Sequence, residues 1–172
     1  VDVQNYTTSA ASNYQVELQL FDAKGGKVLS QSSKLTVAAQ SKQKNTTSLK
    51  INQPKLWSNE TPNLYSLVLT LKDASGKAVE HVGSKVGFRK VELKNGKMLV
   101  NGHAILVKGV NIHEHNPVTG HYQDKETMMK DIRMMKALNI NAVRCSHYPN
   151  NITWMKLCDQ YGLFLVAEAN IE

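Results

Sequence analysis

The chain is short of cysteine, of long apolar runs and of clustered charge, and each shortage excludes something. It has two cysteines in 172 residues, Cys145 and Cys158. They form no CxxC pair. One falls in an expected inner strand and the other in an expected helix, so a disulfide framework is unsupported and both read as buried free thiols. No run approaches the roughly 18 apolar residues of a membrane span. No signal-peptide pattern opens the chain. It begins inside a strand-rich stretch and stops just after an apolar strand, so both ends read as cut from a longer parent. That parent is expected to be soluble, with cytoplasm, periplasm and the secreted state left open. Lys and Arg (21) outnumber Asp and Glu (14), for a net charge of +7. The basic residues are nevertheless spread singly along strand exteriors, with no block of like charge and little aromatic interleaving. Neither nucleic acid nor a membrane is expected as a partner. An apolar content of 41% is enough for a core, in one domain or two small ones.

What is present is periodicity, of two kinds. Val16, Leu18 and Leu20 alternate with Glu17 and Gln19, the period of a half-buried strand. Asp22 to Gly26 reads as a turn and Lys27 to Ser33 as a return strand. Leu49-Lys50-Ile51 alternates again, and Gln40 to Thr47 reads as an exposed strand or loop. Leu67, Leu69 and Leu71 alternate with Val68 and Thr70, a turn follows at Asp73 to Gly76, and Ala78 to Val86 returns. Short strands with polar turns predict an antiparallel, immunoglobulin-like β-sandwich over residues 1–87. From residue 88 the pattern changes. Two Asn-Gly pairs, Asn95-Gly96 and Asn101-Gly102, mark tight hairpins. Ile105 to Val110 then reads as a strand. Asp124 caps a helix from Lys125 to Leu138 with Met128, Ile132, Met135 and Leu138 on its apolar side. A strand from Asn141 to Cys145, a helix from about Asn151 to Tyr161 stopped by Gly162, and a strand from Leu163 to Ala167 complete a β-α-β-α-β order. That order predicts a parallel sheet over residues 88–172.

The stretch Val143 to Asn150 places an arginine and a histidine at the carboxyl end of an apolar strand that feeds a helix, where α/β folds build sites. Arg144 would be costly there unless paired. It reads either as half of a structural ion pair or as an arginine that keeps a catalytic carboxylate ionised. Both readings need an acidic partner, expected from a strand beyond this chain. His113 and His115 share a face if the backbone is extended; their spacing can hold a metal, but a hydrogen-bonded loop pair is the favoured reading of spacing alone.

Four blocks, Leu56 to Tyr65, Gly109 to Pro117, Asn141 to Asn150 and Glu168 to Glu172, together resemble glycoside hydrolase family 2, and within it the large β-galactosidases. Their order and spacing match from about Leu56 onward; the first 55 residues match only in strand-like character. Ile112 and Ala167 depart from the pattern, which has arginine and an acidic residue there. The resemblance implies the opening of a (β/α)8 barrel; a whole one needs about 250 residues, so only the first three strands and two helices are expected here. It implies that His113 and His147 contact sugar hydroxyls, that Arg144 orients the nucleophilic glutamate, and that Glu172 ligates Mg2+. Glu168 and Glu172 are rejected as the catalytic pair, because such carboxylates sit roughly 5 Å apart across the sugar on different strands. Glu168 reads as a surface or supporting carboxylate. The implied parent is a retaining hydrolase of terminal β-D-galactosides whose catalytic glutamates lie downstream, so this chain alone is expected to be inactive. Homo-oligomerisation of the parent is left open. The alternatives are a β-glucuronidase or β-mannosidase of the same family and a non-catalytic carbohydrate-binding module. Few exposed aromatics argue against the last, since Trp57 sits in a motif resembling a structural corner.

Overall fold

The computed structural model describes residues 1–170. The chain divides into two compact units, Val1–Pro54 with Tyr65–Val86, and Lys55–Leu64 with Gly87–Glu172. The first is the β-sandwich unit. Strands β1 (Asp2–Gln4) and β4 (Lys42–Lys44) form a two-stranded antiparallel ribbon. Strands β2 (Ala11–Phe21), β3 (Lys27–Val37), β5 (Tyr65–Lys72) and β6 (Ala78–Val86) form a four-stranded antiparallel sheet in the order β3-β2-β5-β6. The two alternating leucine patterns meet across the central pair. Val16 faces Leu71, Leu18 faces Leu69 and Leu20 faces Leu67, which gives the sheet one apolar face. Val16, Leu35 and Val37 are buried there, with Val3, Tyr14 and Leu71 packed against them. Two aspartate turns connect the strands. Asp22 Oδ1 accepts from the backbone N–H of Lys24 and Gly26, both at 2.8 Å. Asp73 Oδ1 does the same for Ser75 and Lys77, at 2.9 and 3.0 Å. The return strand β3 runs four residues past Ser33, and the alternation at Leu49 to Ile51 forms no strand.

The second unit opens with three short antiparallel strands, β7 (Val91–Lys94), β8 (Lys97–Val100) and β9 (His103–Ala104). Both residues of each Asn-Gly turn have positive φ: Asn95 at 52° and Gly96 at 69°, Asn101 at 52° and Gly102 at 82°. That is the twist a two-residue hairpin needs. Then come β10 (Gly109–Ile112), α1 (Lys125–Ala137), β11 (Ala142–Cys145), α2 (Ile152–Tyr161) and β12 (Phe164–Ala167). The three strands are parallel in the order β10-β11-β12, the first βαβαβ portion of a TIM barrel. Strand β10 starts at Gly109, later than the expected Ile105. Asn141 is the reason. Its buried side chain donates to Leu106 O (2.9 Å) and accepts from Lys108 N–H (2.8 Å), taking the place of a ladder partner. Leu106 and Val107 are left exposed.

Helix α1 is capped by Asp124, whose carboxylate accepts from Thr127 N–H at 2.8 Å. It buries Met128, Ile132 and Met135, whereas Leu138, expected on the same side, is the C-cap and is exposed. Helix α2 is capped by Asn151 and ends at Gly162 in the left-handed region (φ 73°). Between helices and sheet lies one core of Met128, Ile132, Met135, Val143, Cys145, Trp154, Leu157, Cys158 and Leu163. Both cysteines are free and buried, and burial pushes the Cys158 thiol up to about 12, which disfavours the thiolate. The segment Lys55–Leu64, placed in the first domain on sequence, groups with the second unit for visible reasons. Trp57 Nε1 donates to Asp159 O (2.7 Å) and the ring packs edge-on to Phe164. Lys136 Nζ donates to Asn59 O (3.0 Å) and Gly162 O (3.3 Å). Among the described residues no helix is long and apolar enough to cross a membrane.

Candidate functional site

Side chains alternate along a strand, and the core claims one set. Val110, Ile112, Val143, Cys145 and Leu165 belong to the helix-covered core. Asn111, Arg144 and Val166, aligned across the three strands, therefore share the opposite face. In a barrel that face is the interior, and the carboxyl ends of its strands are where sites form. His113 directly follows β10, His147 lies two residues past β11, and Glu168 directly follows β12.

Three of these groups converge. Arg144 Nε donates to Glu168 Oε1. His147 Nδ1 lies 3.5 Å from Glu168 Oε2 and 3.3 Å from Arg144 Nη2. The hydrogen bond from Arg144, and then the charges of Arg144 and His147, hold the Glu168 carboxyl below its ordinary range against an opposing effect of burial. The acidic partner of Arg144 thus lies inside this chain, contrary to the expectation that it comes from a later strand. Of the two readings of Glu168, surface or supporting, the structure favours the supporting one: the side chain is half-buried and paired with Arg144. The register gives the reason: Arg144 aligns with Val166, and Glu168 is two residues further along the same face. Parallel register, read with the sequence, would have found it.

His113 packs edge-on to His147, with ring centroids 5.5 Å apart, and tilted against Tyr148 at 6.0 Å. Tyr148 is fixed in turn, its hydroxyl accepting from Glu114 N–H at 3.1 Å. Glu114 Oε1 accepts from Asn151 N–H at 2.6 Å, a carboxylate at the amino end of α2. Neither Tyr148 nor Glu114 was picked out as a support on sequence, because each acts through a neighbour distant in the chain. His113 and His115 do not converge. His115 turns to His121, with centroids 5.6 Å apart, so the metal spacing of the pair is not realised. Among the described residues no group of three or more His, Cys, Asp or Glu side chains could hold a metal ion. Glu172, the expected Mg2+ ligand, lies outside the described residues.

The arrangement offers a carboxylate, a guanidinium and two imidazoles on one strand-end surface. It suits hydrogen bonding to hydroxyls and the holding of a further carboxylate, since a guanidinium has five N–H donors and, among the described residues, only Nε and Nη2 are engaged. A separate cleft of about 490 Å³ opens at the other ends of the strands, lined by Leu56, His103, Leu106, Lys108 and Asn141 among others. It contains none of the residues above, and that end of a barrel serves stability.

Residues 1–89 match the family "Glycosyl hydrolases family 2", and residues 91–172 match "Glycosyl hydrolases family 2, TIM barrel domain". Two relatives bear the name Beta-galactosidase. That of Pectobacterium atrosepticum is 54% identical over 124 residues, and that of Alteromonas mediterranea is 52% identical over 124 residues. Each alignment spans 72% of this chain and 12% of the relative. Among solved structures, a putative β-galactosidase from Bacteroides fragilis superposes with a TM-score of 0.92 at 26% identity, over 98% of this chain and 25% of that one. A β-glucuronidase from Bacteroides uniformis superposes with a TM-score of 0.91 at 21% identity, over 99% of this chain and 20% of that one.

Proposed function

The chain belongs to glycosyl hydrolases family 2, and from that premise we propose that it is a segment of a retaining β-galactosidase, supplying part of the sugar-binding wall. The observation that carries the reading is the convergence of Arg144, His147 and Glu168, with His113 against His147, at the carboxyl ends of three parallel strands. The name of the two relatives more than half identical to this chain supplies the sugar.

In this reading His113 and His147 hydrogen-bond hydroxyls of the terminal galactosyl unit. Arg144, anchored by Glu168, directs its remaining donors at the nucleophilic glutamate and keeps it ionised and oriented. Glu168 is a positioning residue. A retaining mechanism needs a nucleophile and an acid/base carboxylate about 5 Å apart, with a glycosyl-enzyme between two displacements. Both carboxylates come from outside these residues, so the chain alone does not turn over substrate. Mg2+ enters at Glu172 only. A hard cation takes about six oxygen ligands, and the described residues offer no such cage, so its other ligands would come from elsewhere in the intact enzyme.

A β-glucuronidase of the same family is the second reading, favoured by the likeness of fold to the B. uniformis enzyme. The two separate on a panel of p-nitrophenyl β-glycosides assayed with the intact enzyme. The galactoside should show the highest kcat/KM; a glucuronide or mannoside at the top would replace the reading.

A further inference from the structure

We infer that His121, with His115 beside it, forms the rim that binds the leaving-group part of the substrate; this rests on the glycosidase reading above. The two imidazoles pack edge to face at 5.6 Å between centroids. His121 meets Tyr148 at 6.3 Å, Tyr148 meets His113 at 6.0 Å, and His113 meets His147 at 5.5 Å. These rings make one unbroken row from the Arg144–Glu168 pair out to the loop that follows β10. His113, His147, His115 and His121 are all exposed, so the whole row is open to solvent, and His115 and His121 lie beyond the end of β10, in the loop that follows it.

That loop is braced. Asn116 and Gly120 exchange backbone hydrogen bonds of 2.8 and 2.9 Å. Asn116 Oδ1 also accepts from Val118 and Thr119 N–H, at 2.9 and 3.2 Å. Buried Gln123 donates its side-chain amide to His115 O at 3.2 Å, tying the end of the loop to the end of the strand. A loop held by its own bonds gives up little freedom when a ligand arrives, which favours recognition by its side chains.

Direction follows from the substrate. A terminal glycoside has one substituent leading away from the sugar, the aglycone on its anomeric carbon. Where His113 and His147 hold the terminal sugar, a ring row continuing outward meets the aglycone. Imidazoles suit a second sugar there: the ring stacks on an apolar sugar face, and its nitrogens bond hydroxyls. The leaving group recognised at this rim is therefore a glycosyl unit.

The test uses the intact enzyme with His121→Ala and two substrates, lactose and β-galactosyl fluoride. Lactose carries a glucosyl leaving group, and the fluoride a single atom that cannot reach the rim. Loss of one such contact should lower kcat/KM on lactose about tenfold, with little or no loss on the fluoride and an unchanged melting temperature. His121→Gln, which keeps polar hydrogen bonding without the ring, should recover part of the lactose activity. Equal losses on both substrates would overturn the inference, as would no loss on either. Wild-type enzyme that hydrolyses neither galactoside would refute the β-galactosidase reading by itself. The rim is then tested with the fluoride and the disaccharide of the sugar that the enzyme does take, by the same criterion.

Discussion

Arg144 lies in an apolar strand and is held there by Glu168, which the parallel register brings onto the same face. An arginine inside an apolar strand has to be paired, and that much was legible. Its partner was not, because Glu168 is 24 positions away and register alone brings the two together. The pairing has a pH signature. The folded carboxyl of Glu168 lies below its ordinary value of 4.5, chiefly through the hydrogen bond from Arg144. The folded state thus binds that proton less tightly than the unfolded state. The pair contributes stability in full well above pH 4.5 and loses it as pH falls through the lower folded value. Glu168→Gln should therefore lower the urea midpoint at pH 7, with the gap to wild type closing on acidification. A gap of constant size across that range would mean that shape, not charge, matters at this position. His113 and His147 make a second prediction. In the intact enzyme, His113→Ala and His147→Ala should each reduce kcat/KM on an aryl β-galactoside roughly ten- to a hundredfold, the cost of a lost hydrogen bond to a hydroxyl. Unchanged kinetics in both variants would remove them from the site.

Elements were legible where local chemistry decides them. The Asn-Gly hairpins, the Asp124 cap and the Gly162 stop are written in two or three adjacent residues each, whereas Asn151 is legible only as the approximate start of its helix. Strand β10 was misplaced because its apolar approach, Ile105 to Lys108, is held by a distant side chain, that of Asn141. The end of α2 shows how tightly one element can be specified. Gly162 has φ +73°, and a Cβ there would stand 2.3 Å from Asn59 O. Gly102 also has positive φ (+82°), with nothing within 4 Å of the same added atom. Gly102→Ala should cost about 1–2 kcal/mol, the left-handed penalty alone. Gly162→Ala adds a backbone collision to that penalty and should cost more than about 3 kcal/mol. Urea unfolding of both variants reads the difference; equal destabilisation would show that Asn59 does not press on the turn.

At the scale of the molecule, the change from antiparallel alternation to β-α-β order separated a sandwich from a barrel opening. The affiliation of Lys55–Leu64 with the second unit was beyond that reading. The tie is made by Trp57, Asn59 and Lys136 through backbone carbonyls, which sequence patterns do not register. The chain spans 12% of the length of the β-galactosidases it matches, and a retaining mechanism needs two carboxylates that it is not expected to carry. The 172-residue chain should accordingly show no turnover of an aryl β-galactoside above a mock preparation; measurable turnover would place a complete catalytic pair within it. The most direct measurement is a crystal structure of the intact enzyme after reaction with 2-deoxy-2-fluoro-β-galactosyl fluoride, which traps the glycosyl-enzyme of a retaining enzyme. The expected result is a galactosyl unit bound covalently to a glutamate beside Arg144, with its hydroxyls within hydrogen-bonding distance of His113 and His147. A sugar seated away from those strand ends, or no covalent adduct while turnover of galactosides persists, would contradict it.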